Sequence, residues 1–251
     1  MHPTTQRLES AIDAIHVRFG DQALLRANRL PRAEPWPTGI GELDRLTGIH
    51  GLPAGRLSVL QGPLGSGKVS IALALLGRAT RELAQAVVVD HETGFDPWAL
   101  EPMHPELTRL TLVRPPDAAS AGEAAVALAR AGAPFLLLLS ELPEPALNPL
   151  ESSAARSGCL VLAVAPGRDA ALAHASSLTL GVERSAWLRE RGEVVGLQAR
   201  VTCLKNRLAA PGAATELEVR YPVGARHFPE RPIAIVQHEG DPRWVVRTAV
   251  G

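Results

Sequence analysis

Gly62 to Ser70 reads GPLGSGKVS, with the apolar run Leu57–Leu60 before it and a helical stretch, Ser70–Gln85, after it. A strand, a glycine-rich loop and a Gly-Lys pair opening a helix form the context in which a GxxxxGK match is specific. Gly62, Gly65 and Gly67, with Ser66 between them, let backbone N–H groups curl around an anion. The helix that follows points its positive end at the same place. Lys68 adds charge for the outer phosphates. It is one of only two lysines among 26 basic residues. Lysine is a compact charge on a flexible stem and arginine a planar fork, so a lysine retained here suggests a geometric demand.

The loop lacks one part. The residue after the lysine should carry a hydroxyl for Mg²⁺, and it is Val69. Ser70 comes next, but one residue along a helix is a rotation of about 100°. Its hydroxyl is expected to face away from the metal. The second metal-organising group should be an acid ending an apolar strand, yet FLLLLS ends in Ser140 with Glu141 after it. Alternate strand residues face opposite ways, so Glu141 substitutes only if the strand has already turned.

Around the loop the pattern is α/β. Apolar strands are predicted at Leu57–Leu60, Ala86–Val89, Leu110–Val113, Phe135–Leu139, Leu160–Ala165 and Leu178–Val182, separated by helical stretches. Near-continuous apolar strands of this kind mean a largely parallel central sheet covered by helices on both faces. After Gly192 the pattern turns to antiparallel strands at Val194–Leu204, Leu217–Tyr221, Ile233–Gln237 and Trp244–Val250, the last two joined by a turn at His238–Pro242. Thr5–Phe19 carries a helical stripe of Leu8, Ile12, Ile15 and Phe19. The proline-rich NRLPRAEPWPT, Asn28 to Thr38, reads as an extended arm. The expected organisation is a helix and arm over 1–38 and a core domain over 39–251. The stripe either folds back on its own core or docks on another copy, giving self-association through residues 5–38.

Bulk properties narrow the function. The formal net charge is zero, which argues against strong, unaided binding to a phosphate backbone. Cys159 and Cys203 sit in apolar runs and read as buried thiols, and the eight histidines lack ligand spacing, so no metal site is expected. No apolar run reaches membrane-spanning length and the N-terminus lacks a signal-like stretch, so no membrane partner and a cytoplasmic location are expected.

At this point the chain resembles the RecA recombinase family over nearly all its length. TGIGELDRLTGIHGLPAGR resembles the family's lead-in to the first strand. VVDHETGFDP resembles the segment with the catalytic glutamate, which falls on Glu92. GEVVGLQARVTCLKNRLAAP resembles the strand and turn that send basic residues to a neighbour's nucleotide, falling on Lys205 and Arg207. The resemblance implies a RecA-like fold with ATP at Gly62, Gly65, Ser66, Gly67, Lys68, Val69 and Ser70. The departures are Val69, Ser140 and Pro166, where the family has its metal hydroxyl, its strand-end aspartate and its phosphate-sensing glutamine. The connections matching the family's DNA-holding loops, ELPEPALNPLESSAARSG and PGRDAALAHASS, carry one arginine apiece (Arg156, Arg168) and no aromatics, so single-stranded DNA contact is expected to be weak or indirect.

A shortened relative with a worn site resembles the ImuA group, accessory proteins of damage-induced (SOS) mutagenic translesion synthesis. That resemblance implies an ImuB-like polymerase relative as partner, with RecA and a replicative-type polymerase as further partners, weak or absent Mg²⁺ dependence and association with the nucleoid when active. Two alternatives stay open: an ATP-dependent recombinase or DNA-stimulated ATPase using Lys68, Glu92 and a repositioned Ser70 or Glu141, and a SulA-like division inhibitor. Lys68 either holds nucleotide or caps the loop against Glu92 or Asp90. Glu92 is catalytic or vestigial. Lys205 and Arg207 reach a neighbour or form an exposed turn. Trp98 is a candidate to stack on adenine, and Trp36 and Trp244 are candidate partner contacts.

Overall fold

The computed structural model describes residues 9–14, 17–18, 34–221 and 245–248. The chain divides into two units, Met1–Ala33 and Glu34–Gly251. In the first, residues 9–14 and 17–18 are helical. Leu8, Ile15, Phe19, residues 28–33 of the expected arm, the expected strand Ile233–Gln237 and Trp244 lie outside the described residues.

The second unit is built on a nine-stranded sheet. Its strands are β3 (Leu57–Gln61), β4 (Ala86–Val89), β5 (Leu110–Arg114), β6 (Phe135–Leu138), β7 (Leu160–Ala165), β8 (Leu178–Glu190), β9 (Glu193–Asn206), β10 (Ala214–Arg220) and β11 (Val245–Thr248), in the order β10-β9-β8-β3-β7-β6-β4-β5-β11. The strands from β8 through β5 pair in parallel, whereas β9, β10 and β11 join antiparallel. β11 pairs with β5 at the edge opposite β10. A two-residue ribbon, β1 (Pro35–Trp36) with β2 (Leu52–Pro53), precedes the sheet.

The helices are α1 (Gly41–Leu46), α2 (Lys68–Glu82), α3 (Ala118–Arg130), α4 (Glu144–Ser157) and α5 (Ala170–Ala175), with a 3-10 segment at Pro97–Met103. β3, β4 and β6 are buried along their whole length because both faces are covered. One face packs Ile71, Ala72, Leu75, Leu76 and Ala79 of α2 with Trp36 and Leu43; the other packs alanines of α3 and Leu147, Leu150 and Ala154 of α4. Asp117 caps α3 by accepting from the Ser120 N–H at 2.7 Å, and that bond holds its carboxyl below the usual range. Among the described residues no helix is long and apolar enough to cross a membrane.

Two expectations change. Residues 34–38 are tied to the second unit, with Trp36 and Thr38 buried and Glu34, Pro35 and Pro37 exposed: the Glu34 carbonyl accepts from Ala54 N–H, and Thr38 donates its hydroxyl and its N–H to Asp44. Trp36 is only 9% exposed, tilted against Phe135 with ring centroids 5.6 Å apart and with Arg78 over its face. It is a core residue and not a surface contact, because the prolines around it set a ribbon edge where no N–H donor is needed. The connections after β6 and β7 are also mostly helical: only residues 139–143 and 166–169 lie between strand and helix, and Arg156 sits inside α4.

Replacing Trp36 with alanine should cost roughly 3–5 kcal/mol, the usual range for emptying a buried aromatic site. Urea unfolding of Trp36→Ala checks this, and a loss under 1 kcal/mol would return the residue to the surface.

Candidate nucleotide site

β3 ends at Gln61, and the chain enters the loop beside Ala165 at the carboxyl end of β7 and beside Gly181 of β8; the carboxyl edge is where open α/β sheets bind ligands. Gly62 donates to the Ala165 carbonyl at 3.3 Å. A Cβ on it would lie 2.1 Å from the Val182 carbonyl oxygen, so no side chain fits there. Gly67 is the N-cap of α2 at φ 95°, a left-handed conformation that favours glycine. Its open side faces Leu197, Ala199 and Val219 of β9 and β10. The loop is therefore backed by the antiparallel part of the sheet as well as by β3.

Lys68 is 5% exposed, and its Nζ donates to the Pro63 carbonyl at 3.1 Å. The expected contact with Glu92 or Asp90 is absent among the described residues, and the partner of Lys68 is a backbone oxygen of the loop itself. Burial pushes its ammonium below the ordinary 10.5. The Ser66 hydroxyl accepts from the Lys68 N–H at 3.4 Å, and Leu64 stands 90% exposed at the loop tip.

The two positions that should hold Mg²⁺ do not fit it. Val69 offers no oxygen and is 43% exposed. Ser140 is buried and its hydroxyl is committed: it accepts from the His91 N–H at 2.8 Å and donates to the Val89 carbonyl at 3.3 Å. That bond pair stitches the end of β6 to the end of β4. Ser70 lines a cleft of about 610 Å³ against Glu216–Tyr221 of β10 and its exit, with Ile71, Ala74, Ala99 and Met103 on the opposite wall. Glu141 is exposed beyond the strand. Among the described residues no cluster of three or more His, Cys, Asp or Glu could hold a metal ion.

Glu92 is exposed just past β4 and makes no hydrogen bond or ion pair with a described residue. The neighbouring Asp90 is 2% exposed and accepts from Phe95 N–H at 2.7 Å, which folds residues 91–95 back over the strand end. Trp98 is 36% exposed, and the cleft wall at that segment is formed by Ala99 and Met103.

Lys205 and Arg207 turn onto their own chain. The Lys205 ammonium donates to the carbonyls of Ala173, His174 and Ser176 at 2.6, 2.8 and 2.7 Å, and Arg207 donates to His174 O at 2.6 Å. Together they close the C-terminus of α5, where cations offset the free carbonyls. Burial lowers the Lys205 ammonium, with the nearby Arg207 adding to that shift.

A basic residue that sequence reasoning passed over stands at the loop. Arg184 of β8 donates from Nη1 to the Gly65 carbonyl at 3.3 Å, and its guanidinium lies 4.1 Å from the centroid of the Trp187 ring. The two partners are separated by more than a hundred residues, and no local pattern signals the contact. The cysteines are as expected: both are free and buried, and burial pushes the Cys159 thiol up to about 12.

The RecA N-terminal domain family matches residues 6–149. Protein RecA of Brucella anthropi is 28% identical over 262 residues, covering 88% of this chain and 73% of that protein, and Protein RecA of Brucella canis aligns with the same identity and coverage. The crystal structure of the RadB recombinase superposes with a TM-score of 0.57 at 19% identity, over 72% of this chain and 94% of that one. The last likeness bears on the fold.

Two predictions follow from the loop and the stitch. The lowered folded value of Lys68 makes its ammonium charge a cost of folding wherever the group is charged in both states. The cost fades as pH rises through the window between the lowered value and 10.5. Relative to Lys68→Met, the wild-type protein should thus gain stability across that window in chemical denaturation, and parallel profiles would contradict the burial argument. Ser140→Ala should destabilise by about 1–3 kcal/mol, because His91 N–H loses its acceptor; thermal unfolding reads the change.

Proposed function

The chain belongs to the RecA family, and from that premise we propose that it is a RecA-like accessory protein of bacterial DNA-damage tolerance. In this reading it acts mainly through protein contacts, with an ImuB-like polymerase relative as principal partner and a RecA filament or replicative-type polymerase beside it. The phosphate loop holds ATP or ADP with little help from Mg²⁺ and turns it over slowly or not at all.

One observation carries the reading. The cradle for a polyphosphate is whole, from Gly62 against Val182 to Gly67 against Leu197, while the strand-end position spends its hydroxyl on joining β4 to β6. Phosphoryl transfer depends on positioning and on charge stabilisation, much of it from the metal. A site with Val69 and Ser140 in the metal positions supports binding better than turnover. The non-helical stretches after β6 and β7, residues 139–143 and 166–169, are short and carry only Arg168 as a basic group, and Arg156 lies within α4, which supports contacts with proteins over contacts with DNA.

A second reading, an ATP-dependent recombinase or DNA-stimulated ATPase, is favoured by Glu92, which stands unengaged where a water-activating carboxylate would be. The two separate in steady-state ATP hydrolysis with Mg²⁺, with and without single-stranded DNA, run beside Lys68→Ala and paired with co-purification of an ImuB-like protein from damaged cells. The accessory reading expects turnover far below about one per second, the low end of ordinary enzymes, and a stable complex. Turnover at or above that rate, abolished in the variant, would establish the enzyme instead.

A further inference from the structure

We propose that Arg184 supplies from the chain itself the positive charge that a divalent ion would bring to the phosphates, so that the loop takes nucleoside polyphosphates without a metal. This rests on the reading of the loop as a nucleotide site. A polyphosphate entering a partly desolvated loop needs compensating cations within a few ångströms, because the interaction grows as the effective dielectric falls. Lys68 is one such cation. Val69 and Ser140 cannot recruit another through Mg²⁺.

Arg184 stands where the second charge is needed. Its Nη1 is 3.3 Å from the Gly65 carbonyl, inside the loop sequence. It leaves from a strand position paired with Ala199, and Ala199 with Leu197 forms the surface that backs Gly67. The side chain thus comes from the same sheet face that shapes the loop. A guanidinium has five N–H donors in a fork that matches two phosphate oxygens, and only one of them meets a described protein acceptor.

The arginine is also free of acid. Arg200 lies 3.8 Å from Glu216, and Arg220 lies 2.7 Å from Glu190, whereas Arg184 makes no ion pair with a described carboxylate. What holds it is one neutral carbonyl and the Trp187 face, an exposed cation–π contact worth about 0.5–1 kcal/mol. A phosphate outcompetes both, because a charge-assisted fork is stronger than either. Trp187 then acts as a rest that keeps the guanidinium beside the loop when no anion is present.

Calorimetry with ATP, AMP and inorganic tripolyphosphate, each in EDTA and in excess MgCl₂, tests this on the full chain. The wild-type protein should bind ATP in EDTA about as tightly as with Mg²⁺. Arg184→Ala should weaken ATP and tripolyphosphate about tenfold or more, the equivalent of one charge-assisted hydrogen bond, and AMP much less. Arg184 is exposed, so the variant should keep its melting temperature. Binding that appears only with Mg²⁺, an Arg184→Ala affinity within about twofold of wild type, or an equal loss for AMP and ATP overturns the role of Arg184 and leaves the nucleotide site standing. Failure of the folded wild-type protein to bind any of the three in either buffer overturns both.

Discussion

Where β3 hands the chain to the phosphate loop, Gly62 is pressed between two neighbouring strands: its N–H reaches the Ala165 carbonyl of β7, and its missing side chain leaves just enough room for the Val182 carbonyl of β8. That contact exists because β7 and β8 flank β3 in parallel, with Ala165 and Gly181 both in register with Gln61. The parallel arrangement persists because helices bury both faces of the sheet. The loop shape is therefore a consequence of sheet packing and does not wait for a ligand. Gly62 and Gly67 answer to close packing and backbone conformation, whereas Val69 is exposed and under no such constraint.

Ser140 has a structural role at the end of the sheet. The strand-end site lies next to the exit of β4, where the His91 N–H needs a partner once the sheet ladder stops, while the Val89 carbonyl, already accepting from Leu139 N–H, has a second lone pair to offer. A carboxylate there would accept from His91 but repel the Val89 oxygen. A serine hydroxyl both accepts and donates, so it satisfies both groups. The serine thus completes the hydrogen bonding of the sheet end. This gives a physical reason for the serine to be stable at that place whether or not the chain hydrolyses nucleotide.

The parallel sheet and the loop were legible because their signals are local: apolar runs, glycines and a lysine at fixed spacing. Strand limits came out within a residue or so for β4 and β7, yet β8 runs on to Glu190, far past the apolar Leu178–Val182. Its outer half is exposed and stays a strand by pairing with β9, a long-range cause with no apolar signature. Trp36 was misread because a proline-rich segment has the composition of a linker, while its burial is decided by Phe135 and Arg78, distant in the chain. Lys205 was legible as a special residue but not in its contacts, since the three carbonyls it closes belong to a helix about one supersecondary unit earlier.

The charges around the loop lead to a last step. Lys68 rests on Pro63 O and Arg184 on Gly65 O, so both cations lean on carbonyls of the loop. Each carbonyl is a neutral partner for a full charge, and for Lys68 the shortfall is visible as an ammonium pushed below its usual value by burial. In the proposed reading, a polyphosphate would replace two weak partners by strong ones without bringing in a third cation. The gain on binding is set by how poorly the empty site satisfies its cations. In a site that recruits Mg²⁺ the same gain comes from the ion and is spent partly on orienting the reacting phosphate. Here the fixed cations would hold the phosphates where they land, which favours a bound nucleotide as a conformational weight on α2 and β8 over a nucleotide poised for cleavage.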